Sequence, residues 1–209
     1  EGDIYELLAT VPDSNTHLLL RSNANRMIEG GGKLEEHLTQ LPVMHTYSLQ
    51  VNGDIRKGIQ KRVAEMELKW SRVAVKKPKK CRTKTLPSFT EVCVVEAREK
   101  NNPSGIYWRL LTTHSVNNAE QARQIIAWYK QRWHIEQIHR LLKTEGFRIE
   151  KSQLEQGWAI RKLTLLSLMA TLRILQMMLA YEDDQEQHIA EVFSTQEEQC
   201  LRMLNEQMQ

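Results

Sequence analysis

Four side chains between residues 129 and 143 are of types that bind phosphate groups or metal ions: Tyr129, Arg132, Glu136 and Lys143. In an α-helix their spacing places them on one face, within roughly 60° of one another at about 100° per residue. Arg140 joins the same face. A carboxylate among cations and a phenol suggests metal-dependent phosphoryl chemistry, because the carboxylate can bind a divalent ion while the cations bind phosphates.

The surrounding sequence predicts one helix, from Ala119 to Lys143, that positions these groups. Ser115 or Asn117 can accept hydrogen bonds as its N-cap, and Gly146 follows its last turn, where glycine commonly ends a helix. Apolar side chains occupy the side opposite the polar face, namely Ile135, Ile138, Leu141 and Leu142. We therefore expect the helix to pack through one face and to present the other to a ligand.

These residues, read as Tyr129-Lys-Gln-Arg132-Trp-His-Ile-Glu136 and then Lys143, resemble the Y-R-E-K signature of the IS-four family of bacterial transposases. The resemblance implies that Glu136 is the catalytic residue and metal ligand, as the last carboxylate of a DDE triad on an RNase H-like fold. That triad binds two divalent ions, Mg²⁺ or Mn²⁺. Tyr129, Arg132 and Lys143 would bind phosphates of the transposon end, with Arg140 as a weaker candidate. The alternative is an ordinary amphipathic helix with a solvated charged face.

Trp108 lies in a segment, residues 106–113, that reads as a buried strand. In the resembling family a strand tryptophan at this place stacks against a base flipped out of the DNA duplex. The alternative is a core aromatic, since tryptophan in an apolar strand is usually packed. The sequence leaves both readings open.

The amino terminus carries a further resemblance, because Glu1-Gly-Asp-Ile-Tyr matches Asp-Arg-Glu-Ala-Asp-Ile-like text of the family. In that register the second catalytic Asp would precede Glu1, and the first would lie farther upstream. Asp3 matches a position that is not catalytic, and Arg21 falls where the family places a DNA-contacting arginine. Glu136 alone cannot hold two ions about 4 Å apart. The resemblance therefore implies that this chain is the carboxy-terminal part of a catalytic domain.

The fold class expected from these patterns is α/β: an RNase H-like catalytic core, incomplete at its N-terminus, with a β-rich insertion and C-terminal helices. The expected parts are residues 1–44 of the core, the insertion 45–113, the Glu-bearing part of the core 114–181 and a helical tail 182–209. Within them the sequence predicts helices and strands by periodicity and turn signals. The helices are expected at Glu1–Thr10, Lys33–Gln40, Trp158–Tyr181 (buried against the sheet) and Thr195–Met208, and the strands at Thr16–Ser22, within Tyr47–Arg72 around an Asn52-Gly53-Asp54 turn, at Glu91–Ala97 and at Ile106–Thr113.

The function implied by the resemblance is that of a cut-and-paste DNA transposase. Its partners would be double-stranded DNA, as terminal inverted repeats and target DNA, and a second copy of the protein in the DNA complex. The intact enzyme would cleave strands, form a hairpin and transfer the strand to the target. A rival hypothesis is a DNA-binding remnant or regulatory piece without catalysis, since the two Asp residues are absent from this chain.

Two other hypotheses come from different classes of protein. One is a mononuclear metal hydrolase built on His134, Glu136 and His139, but these spacings do not reproduce H-E-x-x-H, and the two histidines would point about 140° apart on a helix. The other is a plain α/β domain that binds a protein partner through its tail. In the latter case, charge reversal at Arg132 and Lys143 would leave DNA binding unchanged.

A run of basic residues separates two of the predicted strands. Between Arg72 and Lys84 the sequence contains seven cations and no acidic residue, although the net charge of the whole chain is only +3. Such a run can follow a phosphate backbone through counterion release. The alternative is a solvated flexible loop, which Pro78 favours.

Composition places the chain among soluble intracellular proteins, with 41% hydrophobic residues in 209, enough for a core. Three cysteines without metal-site spacing, Cys81, Cys93 and Cys200, indicate reduced thiols in a cytoplasm. The family resemblance implies that this cytoplasm is bacterial. The uncharged, largely apolar stretch from Leu163 to Leu172 is shorter than a membrane span and precedes Arg173. No role at a membrane is therefore expected.

Overall fold

The computed structural model describes residues 5–11, 13, 15–51, 60–182 and 192–207. These residues form a mixed α/β protein in two compact units, Glu1–Tyr129 and Lys130–Gln209. In chain order the elements are α1 (Tyr5–Ala9), β1 (Leu19–Arg21), α2 (Leu34–Gln40), β2 (His45–Val51), β3 (Arg62–Lys76), β4 (Phe89–Glu99), β5 (Tyr107–Thr112), α3 (Ala119–Gln131), α4 (Trp133–Arg140), a π-helical turn (Leu141–Glu145), a 3₁₀ turn (Ile149–Lys151), α5 (Gly157–Glu182) and α6 (Thr195–Gln207).

The first unit is built on one antiparallel sheet of five strands, in the order β1-β5-β4-β3-β2. The strands predicted between residues 45 and 113 are confirmed, and they share this sheet with the short strand β1. The predicted turn at 52–54 lies outside the described residues. The domain boundaries expected at residues 44, 113 and 181 stay predictions, as does the RNase H-like assignment of the core.

Both faces of this sheet are covered by helices. Along β4, Cys93 and Val95 pack into one hydrophobic cluster with α3, whereas Val92 and Val94 pack into a second cluster with α1 and α2. Alternate side chains of a strand point to opposite faces, so a strand between two helical layers must be apolar at consecutive positions. This explains the unbroken buried run from Val92 to Ala97.

A buried carboxylate holds the turn between β4 and β5. Glu99, whose side chain is 6% exposed, accepts hydrogen bonds from Arg62 on β3, from the amide of Asn102 and from the backbone N–H of Ile106. The bonds from Arg62 first, and then from Ile106, lower the pKa of Glu99 from 4.5 to about 2. The carboxylate thereby ties three strands of the sheet together at their ends.

Several helix boundaries differ from those predicted. α1 is described from Tyr5 to Ala9 only, β1 is shorter than predicted, and α2 agrees with the prediction to within one residue. The N-cap of α3 is Asn118, whose Oδ1 accepts from Gln121 N at 2.9 Å, rather than Ser115 or Asn117. The side chain of Asn118 is the one placed to reach the free N–H groups of the first helical turn.

The helix α5 in the second unit is less buried than the sequence predicts, because the prediction is a helix buried against the sheet. Its buried side chains are Ser167, Thr171 and Leu175, while large apolar side chains such as Trp158 and Met169 are 67% and 60% exposed. By length and composition its segment Gly157–Ala180, with a mean hydropathy of 1.7 over its best window, is apolar enough to cross a membrane. This segment is longer than the uncharged stretch Leu163–Leu172, so the length of that stretch does not by itself exclude a membrane span. The expected absence of a membrane role stays a prediction.

Candidate functional site

The predicted carboxylate lies beside one of the predicted phosphate-binding cations. Arg132 is the N-cap of α4, with helical backbone angles, and its Nη1 donates to Glu136 Oε1 at 2.5 Å. Both side chains are open to solvent, Arg132 at 50% and Glu136 at 41% exposure. Because Arg precedes Glu, the pair has the less favourable order for an i,i+4 pair, and it stabilises the helix by at most about 0.5 kcal/mol.

Lys143 occupies a distorted stretch of helix. Residues Leu141–Glu145 form a π-helical turn, and the N–H groups of Gly146 and Phe147 both donate to the carbonyl of Leu141. The Lys143 ammonium lies 2.9 Å from the carboxylate of Glu150, which is 62% exposed. A π-turn within a helix is rare and frequently marks a functional site, so this distortion singles out the segment independently of its charges.

The single helix predicted from Ala119 to Lys143 is therefore wrong in detail. It is interrupted at Arg132, where Ile135 N donates to Arg132 O in a tighter turn, and it widens at Leu141. A uniform rotation of about 100° per residue does not apply across these two changes. Arg132 and Glu136 remain on successive turns of one element, whereas Tyr129 belongs to the other compact unit. The apolar side of α4 is also less buried than expected, since Ile135 is 47% exposed.

Tyr129 and Trp108 are packed together in the first unit. Tyr129 is 8% exposed within the core cluster under α3, and the half-buried Trp108 of β5 meets it edge to face, with ring centroids 5.9 Å apart. This geometry favours the core reading of Trp108, since aromatic pairs prefer such an arrangement. The contact of Trp108 with a flipped base stays a prediction. The contact of Tyr129 with a phosphate also stays a prediction.

The two weaker candidates are both exposed arginines. Arg21 lies at the end of β1, where its Nη2 donates to the backbone carbonyl of Tyr107 at 3.2 Å. Arg140 is the last residue of α4, directly before the π-turn that carries Lys143. Each cation is accessible to a ligand on its own unit, and neither assignment as a DNA contact is tested by the geometry.

Side chains that can bind metals do not cluster in the part of the chain that the structure describes. Within those residues no three side chains of His, Cys, Asp or Glu come close enough together to hold an ion. His134 and His139 therefore do not complete a site with Glu136, which removes the support for a mononuclear hydrolase. The described residues do not fit a complete metal site by themselves, and the assignment of Glu136 as a metal ligand stays a prediction.

Two residues shape this segment: Gly146, which ends the helical turn as expected, and Glu150, which the sequence did not point to. Glu150 pairs with Lys143 across the end of the π-turn, and no periodicity links them because the chain turns at Gly146. Gly146 has φ −125°, so it is not a left-handed helix cap. A Cβ there would lie 2.3 Å from the Leu141 carbonyl oxygen, so close approach of the backbone requires the glycine.

Comparison with protein families identifies one whose members act on DNA and use divalent metal ions. The family is described as the transposase DDE domain, and its match covers residues 5–173. The matched region contains the whole described sheet, the Arg132–Glu136 pair and the π-turn with Lys143. Because the match extends over most of its length, the chain belongs to the transposase DDE domain family.

Proposed function

We propose that the chain is the part of an IS-four-type, cut-and-paste transposase that carries the last carboxylate of the DDE triad. The observation that carries the proposal is the Arg132–Glu136 pair next to the π-turn bearing Lys143, within a segment matched to the transposase DDE domain. The residue identities also agree with the Y-R-E-K pattern. In this proposal the core is RNase H-like, and Glu136 is the glutamate of its DDE triad.

Glu136 is the metal ligand of this chain in the proposal, and Mg²⁺ or Mn²⁺ is the ion. Two such ions, when bound by the full triad, activate the attacking oxygen and stabilise the leaving oxygen of phosphoryl transfer. Glu136 is exposed enough to serve as a ligand, but its Oε1 is held by Arg132. Its release from Arg132 would free both carboxylate oxygens for a metal ion.

Arg132 and Lys143 are the proposed phosphate-binding groups. Both cations are about half exposed and both rest on a glutamate, Arg132 on Glu136 and Lys143 on Glu150. A DNA phosphate can replace either carboxylate because charge-assisted hydrogen bonds form equally well to phosphate oxygens. When Arg132 turns to a phosphate, Glu136 becomes available to a metal ion, so DNA and metal binding should favour each other.

The substrates proposed for the intact enzyme are the terminal inverted repeats of a transposon and a target DNA. It would cleave both strands through a hairpin and join the end to the target, acting as a homodimer in the bacterial cytoplasm. Tyr129, Arg140 and Arg21 are proposed as further DNA contacts, and Trp108 as the base-stacking residue. These roles rest on the resemblance of the residues quoted above.

A second proposal is a DNA-binding remnant or regulatory piece without catalysis. This alternative shares the phosphate contacts but not the chemistry. It predicts salt-sensitive DNA binding that divalent ions do not change and no metal-dependent cleavage.

The experiment that tests the phosphate contacts is charge reversal of Arg132 and Lys143 in the 209-residue chain. Loss of two phosphate contacts should flatten the slope of log affinity against log salt by about 2. Between about 50 mM and 200 mM salt, the affinity of the variant should therefore fall roughly tenfold less than that of the wild type. The matched control reverses Arg161 and Lys162, an exposed Arg and Lys of α5.

The neutral double variant, with glutamine at both positions, repeats the measurement without like-charge repulsion. A slope unchanged in both double variants would contradict the phosphate role. A slope flattened as much by the control as by the test pair would contradict it too, because any two cations would then serve.

A further inference from the structure

A second cluster of cations lies in the first compact unit, away in sequence from the Glu136 helix. Residues 77–88 connect β3 to β4 and are called the basic loop below. The loop contains no acidic residue, and Lys77 N closes it by donating to Ser88 O at 2.8 Å. The sequence left two readings of this run open, a solvated flexible loop and a surface that binds phosphates.

The structure ties the basic loop to the body of the unit through side-chain hydrogen bonds. The buried Tyr5 of α1 donates from its hydroxyl to Pro87 O at 2.7 Å. The Lys77 ammonium turns back into the loop and donates to Thr83 O at 2.7 Å and to Leu86 O at 3.3 Å. Lys77 is thus used as an internal brace rather than as a surface charge.

Apolar contacts hold the same loop from beneath. Cys81 and Leu86 pack against the hydrophobic cluster formed by α1, α2 and one face of the sheet. The Cys81 thiol also hydrogen-bonds with the carboxylate of Glu6 on α1. Such anchoring reduces the conformational entropy that the loop would lose on binding a ligand, so it contradicts the reading of an unconstrained solvated loop.

Within the described part of the chain, the remaining cations of this region face solvent without acidic partners. None of the ion pairs among the described residues involves them, whereas the neighbouring Arg72 pairs with Glu91. An array of like charges fixed by its backbone repels itself, and a polyanion relieves that repulsion. The exposed cations are Lys76, Lys79, Lys80, Arg82 and Lys84.

We propose that the basic loop is a second, sequence-independent binding site for the phosphate backbone of duplex DNA. This proposal rests on the proposed function only for the class of partner, which is DNA. The anchoring of the basic loop and its exposed cations are independent of Glu136. Duplex DNA offers the dense, regular charge that such an array fits. Residues 77–88 contain no aromatic side chain, unlike the stacking surfaces that single-stranded nucleic acid and membrane interfaces use.

The test replaces four exposed cations of the loop by alanine, Lys79, Lys80, Arg82 and Lys84, in the full 209-residue chain. Binding to a duplex of random sequence is followed by fluorescence anisotropy between about 50 mM and 200 mM salt. Loss of four phosphate contacts should lower the salt slope by about 3 to 4, so that this change in salt weakens binding about a hundredfold less than in the wild type. The matched control removes three lysines and one arginine that are exposed elsewhere, Lys61, Lys151, Arg161 and Lys162.

A second loop variant, with lysine and arginine exchanged at the same four positions, keeps the charge and should keep the slope. Equal slopes for the alanine variant and the wild type overturn the proposal, as does an equal loss in the matched control. Tighter binding of single-stranded DNA or of anionic phospholipid vesicles through the same four residues would also overturn it.

These results separate the two proposals. If only the loop variant keeps the wild-type slope, the second site fails and the proposed function stands. If only the Arg132 and Lys143 variant keeps it, the assigned phosphate contacts fail while the basic loop remains a DNA site. A wild-type chain that does not bind duplex DNA contradicts both.

Discussion

Replacing Gly146 by alanine should disrupt the π-turn that positions Lys143. The Cβ of alanine would lie 2.3 Å from the Leu141 carbonyl oxygen, about 1 Å closer than an ordinary carbon–oxygen contact. The clashing atom is backbone, and it accepts the N–H groups of both Gly146 and Phe147. It therefore cannot move aside without loss of these hydrogen bonds.

The expected destabilisation follows from these contacts. Forcing one extra carbon into a packed position costs about 1–3 kcal/mol, and each lost hydrogen bond about 0.5–1.5 kcal/mol. A Gly-to-Ala change also stabilises by about 0.4–1 kcal/mol through the unfolded state. We therefore expect a net loss of about 1–5 kcal/mol in the free energy of unfolding of the second unit.

The assay is urea unfolding, combined with hydrogen exchange of the amides from Leu141 to Phe147. Gly157 is a matched control in the same unit, because a Cβ added at the start of α5 meets nothing within 4 Å. Gly157→Ala should leave stability unchanged or raise it slightly. Equal stability of the two alanine variants, with unchanged exchange at Phe147, would refute the argument that close backbone contact requires Gly146.

Three further predictions concern other parts of the chain. Because Arg62 lowers the pKa of Glu99 to about 2, the ionised Glu99 should stabilise the fold fully above pH 4.5, and this stabilisation should disappear as the pH falls towards 2. The difference in urea midpoint between wild type and Glu99→Gln should therefore vanish at low pH, and a difference that grows there would contradict this. Glu136→Gln should change the free energy of unfolding by at most about 0.5 kcal/mol, since it removes an exposed pair, and a larger loss in urea unfolding would indicate a structural role. Trp108→Ala should lower the stability of the first unit by about 2–3 kcal/mol by removing the edge-to-face contact with Tyr129, and unchanged thermal unfolding would show that the indole is not part of the core.

The sheet was the most predictable part of the fold. Alternating and β-branched stretches mark β2 to β5, and the buried run in β4 indicates a strand covered on both faces. The triple glycine Gly30-Gly31-Gly32 before α2 is a turn signal, and Gly30 and Gly31 have φ of 89° and 92°. Local signals of this kind report backbone geometry directly, which is why they transfer from sequence to structure.

The segment around Glu136 was less predictable. The identities and spacing single out the Arg132–Glu136 pair, but the break at Arg132 and the π-turn at Leu141 arise from backbone contacts that no periodicity reveals. The exposure of α5 was missed for a related reason, since apolar composition shows that a surface avoids water but not what covers it. The anchoring of the basic loop depends on contacts with α1, more than seventy residues away in the chain.

The central claim, that Glu136 is the metal-binding carboxylate of a transposase, is tested most directly by Glu136→Gln in the complete product of the gene that encodes this chain. The assay measures Mg²⁺- or Mn²⁺-dependent cleavage of transposon-end DNA, with Glu120→Gln, an acidic residue in the first turn of α3, as the control. We predict that Glu136→Gln lowers cleavage by at least about a thousandfold while DNA binding and folding are kept, and that Glu120→Gln cleaves like the wild type. Cleavage by Glu136→Gln at the wild-type rate would contradict the account.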